Sequence, residues 1–449
     1  MGYIRAESTL RRRRTMPKLE EVFGVTSKQI LSYVDREQVD AAFADALSSG
    51  KQIIVYGSSK QGKTALVSKH LPYEDNLLVS LTPKVQLLDI YQIVLNQAGV
   101  RIVVSANEKN GSEQTASALG RVRALIPIAS AEFEVKDEQK HITGVDVRYE
   151  EVPVNLALPQ TVSDLLKRVG CEKWVILENF HYLEDSVQQQ FAYDLRAFQE
   201  LGVRFVILGV WREKNRMAQF NGDLLDRVVE IPVEPWSEKD FDRVADKGAG
   251  HLKITFAEPL IREAKVASFS SIGVFQELMK LICQNAGVKE TLPGDDPVML
   301  GGLHLVTNAI VEKTTDYASR HQRALEAIAA GHTSGGAKGD LPPLFLPYYL
   351  VRVLLEHGFE GIAGGAKRNT VHEWIRQVHH RGEDVRVSDM SNLLGGIANL
   401  QSVKSISPPI LAYDSQQRML QVVDSTFYFF IKNVDTREVM DSIQNPLEK

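Results

Sequence analysis

Cysteine is scarce in this sequence of 449 residues, which contains only Cys171 and Cys283. Two cysteines so far apart cannot build a disulfide framework or a cysteine-based zinc site, so the chain suits a reducing compartment. An apolar run of membrane-spanning length is also missing, as is the apolar core of a signal peptide. These absences predict a cytoplasmic protein that makes no membrane contact.

The sequence also lacks an excess of positive charge. It has 52 lysine and arginine residues against 57 aspartate and glutamate residues, which gives a formal net charge of −5. No global field therefore draws the protein to nucleic acid, and any such contact needs a local patch. Residues 1–20 are predicted to be disordered, and Arg11 to Arg14 within them form either a solvated arm or a nucleic-acid contact.

One stretch carries a specific motif. Residues 53–56 form a short apolar run typical of a buried strand, and Gly57 to Thr64 then match the pattern G-x-x-x-x-G-K-[ST] of a phosphate-binding P-loop. Glycine lets backbone N–H groups turn toward phosphate oxygens, and the start of the following helix favours an anion. Lys63 would reach the β and γ phosphates of ATP, and the Thr64 hydroxyl would bind Mg²⁺. The predicted ATP-binding residues here are Gly57, Ser58, Ser59, Lys60, Gln61, Gly62, Lys63, Thr64 and Ala65.

A second strand ends in an acidic residue. The apolar run Trp174 to Leu177 is followed by Glu178 and Asn179. In a parallel sheet the carboxyl end of such a strand faces the P-loop, so we expect the Glu178 carboxylate on the Mg²⁺ side. The amide of Asn179 can orient water but cannot take its proton, which predicts slow hydrolysis. The alternative proton acceptors His181, Glu184 and Asp185 could equally be surface residues at the start of the next helix.

Helices and strands alternate around these two motifs, which predicts an α/β core with a parallel sheet. Between about residues 101 and 159 the alternation is interrupted, and an inserted β-hairpin is predicted on either side of residues 137–140. The polar face of this hairpin is either a partner surface or a plain insertion. Its alternating residues are Phe133, Val135, Val145, Val147 and Tyr149. The other predicted core strands are Leu77–Leu81, Val203–Val210 and Val228–Pro232.

The segment Tyr33-Val34-x-Arg36, one helix before the P-loop, resembles the adenine-side segment of STAND and AAA+ ATPases, including the origin-recognition branch. On that resemblance these three residues lie near the base; otherwise they mark a helix start with a surface arginine. The resemblance covers roughly residues 20 to 434. The family pattern at the acidic strand end is Asp followed by Glu, and the departure to Glu178 and Asn179 puts efficient hydrolysis in doubt.

The same resemblance implies two further polar sites. A polar residue after the strand ending at Val210 would correspond to sensor 1, which feels the γ phosphate, and the candidates are Arg212 and Asn215. Arg227 resembles an arginine finger that completes a neighbouring subunit's site, unless it pairs locally with Asp223 or Asp226. The predicted catalytic residues are Lys63, Glu178, Asn179 and Arg227.

The C-terminal part of the chain reads as a separate module. A helix from about Leu346 to His357, a second around Val371 to Val378 and a third starting at Ser388 precede two short strands, which is the order of a winged helix. Its third helix is poor in basic residues. In STAND proteins the winged helix often packs on the ATPase core as a regulatory element, and on that resemblance contact with the rest of the chain or with a protein is favoured over DNA. The basic residues near the second helix are Lys367, Arg368, Arg376, His379, His380 and Arg381.

The predicted organisation therefore has six parts, and a proline-containing join at about residues 234–240 resembles the start of a helical lid. No arginine stands at a recognisable sensor 2 position, which favours a STAND-like protein. The predicted segments are 1–20, a basic terminus; 21–235, the ATPase core; 236–288, the lid; 289–343, a linker and long helix; 344–434, the winged helix; and 435–449, a tail.

Taken with the resemblance, these features imply a Mg·ATP switch that hydrolyses ATP slowly, associates with itself when ATP is bound and acts on a partner protein. Bacterial proteins of this build often serve in phage defence or mobile-element systems. One alternative is a DNA-binding adaptor in which ATP is a structural ligand. Another is a scaffold whose inserted hairpin recruits an effector enzyme.

Overall fold

The computed structural model of the chain describes residues 16–25, 30–104, 122–128, 148–212, 214–331 and 341–448. The arginine run at 11–14, the predicted turn at 137–140, and the residues Phe133, Val135, Val145 and Val147 lie outside these ranges. The chain forms two compact units, Met1–Val34 with Trp236–Asp316 and Asp35–Pro235 with Tyr317–Lys449. Among the described helices, none combines the length and apolar character that crossing a membrane requires.

The strands follow one another along the chain with helices between most of them. They are β1 Gln52–Tyr56, β2 Leu77–Ser80, β3 Arg101–Val104, β4 Val122–Ile128, β5 Arg148–Val154, β6 Val175–Glu178, β7 Phe205–Gly209, β8 Val228–Pro232, β9 Ile254–Phe256, β10 Val298–Leu300, β11 Ala366–Lys367, β12 Leu411–Asp414 and β13 Met419–Val422.

The helices range from one turn to more than seven. They are α1 Leu19–Val22, α2 Glu37–Ser48, α3 Lys63–His70, α4 Leu87–Gln97, α5 Pro159–Arg168, α6 Asp185–Leu201, α7 Arg216–Phe220, α8 Glu238–Leu252, α9 Glu258–Ala267, α10 Ile272–Asn285, α11 Leu303–Ala329, α12 Leu346–Ile362, α13 Arg368–Val378, α14 Val387–Gly395, α15 Ile397–Val403, α16 Ser425–Asn433 and α17 Thr436–Ser442.

The larger unit is built on a parallel five-stranded sheet in the order β2-β6-β7-β1-β8. Every residue of β1 and β7 is buried, because helices cover both faces and leave no polar side to these strands. In register, Tyr56 lies beside Gly209, and Ser80 lies beside Glu178. The carboxyl ends of β1, β6 and β7 thus meet at one edge of the sheet, and the predicted α/β class with a parallel sheet is confirmed.

An aromatic cluster fixes α6 against this sheet. The ring of Phe205 on β7 lies 5.5 Å from that of Phe191 and 5.1 Å from that of Phe198, both on α6. All three side chains are buried, and burial of one such ring stabilises the fold by about 2 kcal/mol. Gly202 ends the helix with φ 82°, a left-handed conformation that glycine adopts without strain.

The interrupted region holds three described strands. β3, β4 and β5 form an antiparallel sheet with β4 in the centre, and β4 pairs with β5 along its whole length. β3 and β4 were not predicted from the sequence, and both precede the alternating residues on which the predicted hairpin was based. Tyr149, the one residue of the predicted hairpin strands that is described, lies in β5 and is exposed.

The C-terminal module in residues 344–434 contains α12 to α16 and a small antiparallel sheet in the order β11-β13-β12. The predicted third helix is divided into α14 and α15, since Gly396 between them has φ −88° and ψ 0° and glycine is a poor helix former. The first helix kinks at Gly358, one residue past its predicted end. α16 was not predicted, although seven of its nine residues, from Ser425 to Ile431, are buried.

The smaller unit packs α1 and α8 to α10 around aromatic residues, with β9 and β10 as a parallel pair. The ring of Phe241 meets that of Phe275 edge-on at 5.1 Å, and Phe23 is fully buried. A backbone approach is required at Gly248 on α8, where a Cβ atom would lie 2.1 Å from Cζ of Phe23. The Phe23 ring therefore occupies the space that a side chain in place of Gly248 would need.

Two glycines on α8 are expected to respond to alanine in opposite directions. Gly248→Ala should destabilise the unit by about 2 kcal/mol, because Phe23 must move out of a packed position. Gly250→Ala should stabilise it by up to about 1 kcal/mol, because a Cβ at Gly250 meets no atom within 4 Å and alanine favours the helix. Hydrogen exchange of α8 amides measures both changes. Equal exchange in the two variants would contradict the proposed packing.

Candidate nucleotide-binding site

The loop between β1 and α3 has the backbone of a phosphate cradle. Gly57 has φ 150° and Gly62 has φ 83°, both in the region that side chains disfavour. A Cβ at Gly57 would also lie 2.7 Å from a methyl group of Val233. α3 begins directly at Lys63, so its N-terminal N–H groups point into the loop and favour an anion.

Lys63 folds back over this loop. Its Nζ donates to the backbone oxygens of Gly57 at 2.9 Å and Ser58 at 2.7 Å. Burial lowers the pKa of Lys63 to about 8, although the charges of Glu234 and Glu178 oppose this shift. The ammonium group thus fills the interior of the loop, where it would meet phosphate oxygens.

The predicted metal-side residues lie together. The Thr64 hydroxyl donates to Oε1 of Glu178 at 3.0 Å, and the Tyr73 hydroxyl donates to the same oxygen at 2.5 Å. Burial, followed by the charge of Glu178, raises the pKa of Tyr73, which keeps its proton available for this bond. Sequence reasoning missed Tyr73, which follows Pro72 and belongs to no motif.

A hydroxyl and a carboxylate this close fit one Mg²⁺ ion that also binds phosphate oxygens and water. Within the described ranges, no group of three or more His, Cys, Asp or Glu side chains is arranged to hold a metal. Mg²⁺ usually keeps several waters and takes few protein ligands, so Thr64 and Glu178 would suffice for it alongside a nucleotide. The ion would neutralise phosphate charge.

Of the two sensor candidates, the fold brings Arg212 to the loop. Its Nε donates to the Ser58 hydroxyl at 2.8 Å and lies 3.4 Å from Oε1 of Glu234. Glu234 in turn accepts from both N and Oγ of Ser58 at 2.8 Å. The backbone N–H of Asn215 donates to Glu230 on β8 at 2.7 Å, and a sensor role for its side chain remains a prediction. Glu234 was not predicted as a site residue, because it stands 176 positions from Ser58.

Asn179 follows β6 with φ 63° and starts a short 3₁₀ turn. Asparagine tolerates this left-handed conformation, whereas most other residues pay about 1 kcal/mol or more for it. The residue after Glu178 is therefore also constrained by backbone geometry.

Arg227 pairs with α6. Its Nη2 lies 3.0 Å from Oε1 of Glu200, and its Nη1 donates to Gln199 at 2.7 Å. Asp223, one of the two local partners considered from the sequence, pairs with Arg196 at 3.0 Å. An arginine-finger role remains a prediction, and it requires release from Glu200.

The adenine-side box is divided between the two units. Arg36 is buried in the larger unit, where its Nη1 donates to the carbonyl of Val233 at 2.5 Å. Tyr33 and Val34 are buried in the smaller unit, where the Tyr33 carbonyl accepts from Lys247. A contact of these residues with a base remains a prediction.

The remaining loop residues have partners in the same unit. Ser59 is bonded to residues 423–425, and Lys60 donates to the Tyr317 hydroxyl at 3.4 Å. Gln61 is buried and Ala65 lies in the first turn of α3. The contact at Ser59 joins positions 365 residues apart and had no signal in the sequence.

No protein-family model matches the chain, and no curated protein matches it. Among solved structures, a Walker-type ATPase of Pyrococcus abyssi is similar over 89% of this chain and 96% of its own, with a TM-score of 0.46 and 11% identity. The Aeropyrum pernix ORC1 protein in complex with DNA is similar over 94% and 96%, with a TM-score of 0.39 and 12% identity. The Thermotoga maritima RuvB Holliday junction branch migration motor is similar over 92% and 96%, with a TM-score of 0.36 and 10% identity. Nucleotide binding is therefore inferred from the loop geometry of this chain and not from these likenesses.

Proposed function

We propose that this protein is an ATP-binding switch of the P-loop ATPase class whose C-terminal module responds to the phosphates in the loop. The observation that carries the proposal is the contact of Ser59 with the turn between β13 and α16. The Ser59 N–H donates to the carbonyl of Val423 at 3.1 Å, and its hydroxyl donates to Oδ1 of Asp424 at 3.2 Å. The Ser425 hydroxyl donates to the carbonyl of Ser59 at 3.0 Å. The C-terminal module thus contacts the P-loop directly.

Asp424 contributes a negatively charged side chain to this contact. Its side chain is fully buried and lies 2.6 Å from Nη1 of Arg320. Burial alone would raise the pKa of the Asp424 carboxyl, but Arg320, His321 and the bonds from Thr426 outweigh it and hold the pKa below its usual value. The Asp424 carboxylate that accepts from Ser59 is therefore ionised at neutral pH, and it is paired with Arg320.

The C-terminal half of α11 supports this acid. The His321 ring accepts from or donates to the Thr426 hydroxyl at 2.9 Å, and Arg320 also bonds that hydroxyl at 3.1 Å. Burial lowers the pKa of His321 to about 4, so the ring is neutral at pH 7 and Arg320 supplies the cation. Asp424 also accepts from the Thr426 N–H at 2.9 Å and so caps α16.

A nucleotide adds negative charge to the loop, and a triphosphate adds more of it than a diphosphate. Like charges repel, so ATP weakens the contact of Asp424 with Ser59 more than ADP does. ATP binding and the docked module are then competing states, and the ligand shifts their populations by its differential affinity. Because of this competition, the bound nucleotide controls whether the module is docked.

Hydrogen exchange tests this switch. With a non-hydrolysable ATP analogue and Mg²⁺, amides of residues 423–431 are expected to exchange at least about tenfold faster than with ADP, because the turn leaves Ser59. Asp424→Asn should retain the helix cap but remove the charge, and should tighten binding of the analogue about fivefold with little effect on ADP.

Asp435→Asn is the matched control, since Asp435 caps the neighbouring helix α17 through the Arg437 N–H at 2.9 Å and is not hydrogen-bonded to the P-loop in the described part of the chain. It should leave both nucleotide affinities unchanged. Exchange at 423–431 that responds to neither nucleotide, in a protein that binds both, would remove the switch.

The proposal also includes several more specific statements. Thr64, Glu178 and Mg²⁺ would support slow hydrolysis, and Arg227 would act across a self-associated pair of chains. The order of α12 to β13 favours a winged helix that signals to a partner protein. A DNA-binding adaptor draws less support, because its basic residues are engaged: Arg368 donates to Ser391, Arg376 to Glu383 and Arg381 to Asp384. A role in phage defence or mobile-element control stays a hypothesis from the resemblance.

A further inference from the structure

His181 lies in the turn that follows β6, at the sheet edge where the P-loop ends. Both of its ring nitrogens are buried, and neither has a hydrogen-bond partner among the described residues. The ring packs against that of Tyr182 at 4.2 Å. A buried polar ring without a partner costs about 1–3 kcal/mol of stability, so such a residue calls for a function.

The charges that act on this ring belong to two elements. They are those of Lys63 at the start of α3 and of Arg216 at the start of α7. Arg216 is itself paired with Asp185 at 3.6 Å. Burial, with added repulsion from these two cations, lowers the pKa of His181 to about 3. The imidazole is therefore neutral at neutral pH and has a nitrogen that can accept a proton.

The groups near His181 are less suited to accept a proton. Glu178 is occupied by Thr64 and Tyr73, and the amide of Asn179 cannot take a proton. Glu184 and Asp185 are exposed. Of the candidate acceptors His181, Glu184 and Asp185, His181 is the one whose polar atoms are buried.

We propose that His181 is a catalytic residue that takes the proton of the attacking water during ATP hydrolysis, an inference that rests on the hydrolysis included in the proposed function. Water oxygen bonds to the γ phosphorus while the bond from that phosphorus to the β–γ bridging oxygen breaks. ADP and phosphate form, and the water proton passes to a His181 ring nitrogen and then to solvent. Asn179 orients the water.

Bound triphosphate brings the ring to a useful basicity. Its negative charges oppose those of Lys63 and Arg216, which raises the pKa of His181 from the low value of the nucleotide-free protein. The hydrolysis rate should thus rise with pH through this shifted pKa and level off above it, because the neutral ring is the active form.

His181→Gln tests the role with a side chain of similar size that binds water but accepts no proton. Hydrolysis should fall about 100-fold, and the rise of rate with pH should disappear. A second measurement does not depend on turnover. NMR of histidine-labelled protein follows the titration of His181, and the His181→Gln variant assigns its signal. The pKa of His181 should rise by at least one unit when a non-hydrolysable ATP analogue binds. ADP affinity should stay within about twofold, which shows that the site is still folded.

Glu184→Gln is the matched control in the same turn, and it should hydrolyse ATP at the rate of the unchanged protein. The proposal is overturned if His181→Gln keeps that rate and its pH profile, or if the histidine signal does not move with the analogue. Absence of hydrolysis in the unchanged protein also overturns it. None of these outcomes affects the exchange at residues 423–431, so failure here and failure of the switch are told apart.

Discussion

Lys63→Ala is expected to weaken ATP binding by at least about 100-fold, or about 2.8 kcal/mol. The ammonium group of Lys63 is buried in the loop and bonds its backbone at Gly57 and Ser58. On nucleotide binding these bonds are exchanged for stronger, charge-assisted bonds to phosphate. An alanine leaves the phosphates without this cation in a site of low dielectric. Titration of the protein with ATP and Mg²⁺ by calorimetry measures the loss.

Lys60→Ala is the control in the same loop. Lys60 carries the same charge three positions earlier, but its Nζ lies 3.4 Å from the Tyr317 hydroxyl and 4.8 Å from the centre of that ring. Its removal should change ATP affinity by less than about threefold. Similar losses in the two variants would mean that the loop attracts phosphate by general charge and not through the interior position of Lys63.

Gly209→Ala is expected to lower the free energy of unfolding by about 3 kcal/mol. Gly209 ends β7, and a Cβ atom there would lie 1.6 Å from the Trp211 ring. That ring is buried, stacks on Tyr56 at 6.4 Å and meets Phe180 edge-on at 6.5 Å. Because Tyr56 precedes the P-loop and Phe180 precedes His181, displacement of Trp211 should also weaken nucleotide binding.

Urea unfolding of Gly209→Ala against Gly222→Ala checks this packing. A Cβ at Gly222 meets no atom within 4 Å, so that variant should stay within about 0.5 kcal/mol of the unchanged protein. Stability losses of equal size would show that Trp211 moves aside at little cost, contrary to the close packing of its ring.

The parts of the site that could be predicted from the sequence are those whose residues lie close together in the chain. Gly57 to Thr64 specify a loop whose glycines and lysine have only one common use, and Glu178 stands where a parallel strand must end. The strands β1, β2, β6 and β7 were predictable for the same reason, because each is an apolar run bounded by polar residues. Local pattern and local structure agree at these positions.

The other part depends on contacts between distant residues. Arg212 and Asn215 were equal candidates in sequence, and only the fold shows that Arg212 bonds Ser58. Asn179 was interpreted through chemistry alone, whereas its φ of 63° adds a backbone reason for asparagine. The burial of Asp424 beside the loop depends on how α16 packs, and no spacing rule predicts such packing.

The bonds between Ser59 and the turn before α16 join positions 365 and 366 residues apart. A ribosome adds about 5–20 residues per second, so this interval takes roughly 20–70 s of synthesis. The P-loop and its sheet leave the ribosome first, and during that time no carboxylate stands opposite Ser59. A newborn chain therefore meets cellular nucleotide with an uncovered loop. The covered state forms only after residues 423–425 have been synthesised, and each molecule reaches it by docking this turn onto a site that was already accessible.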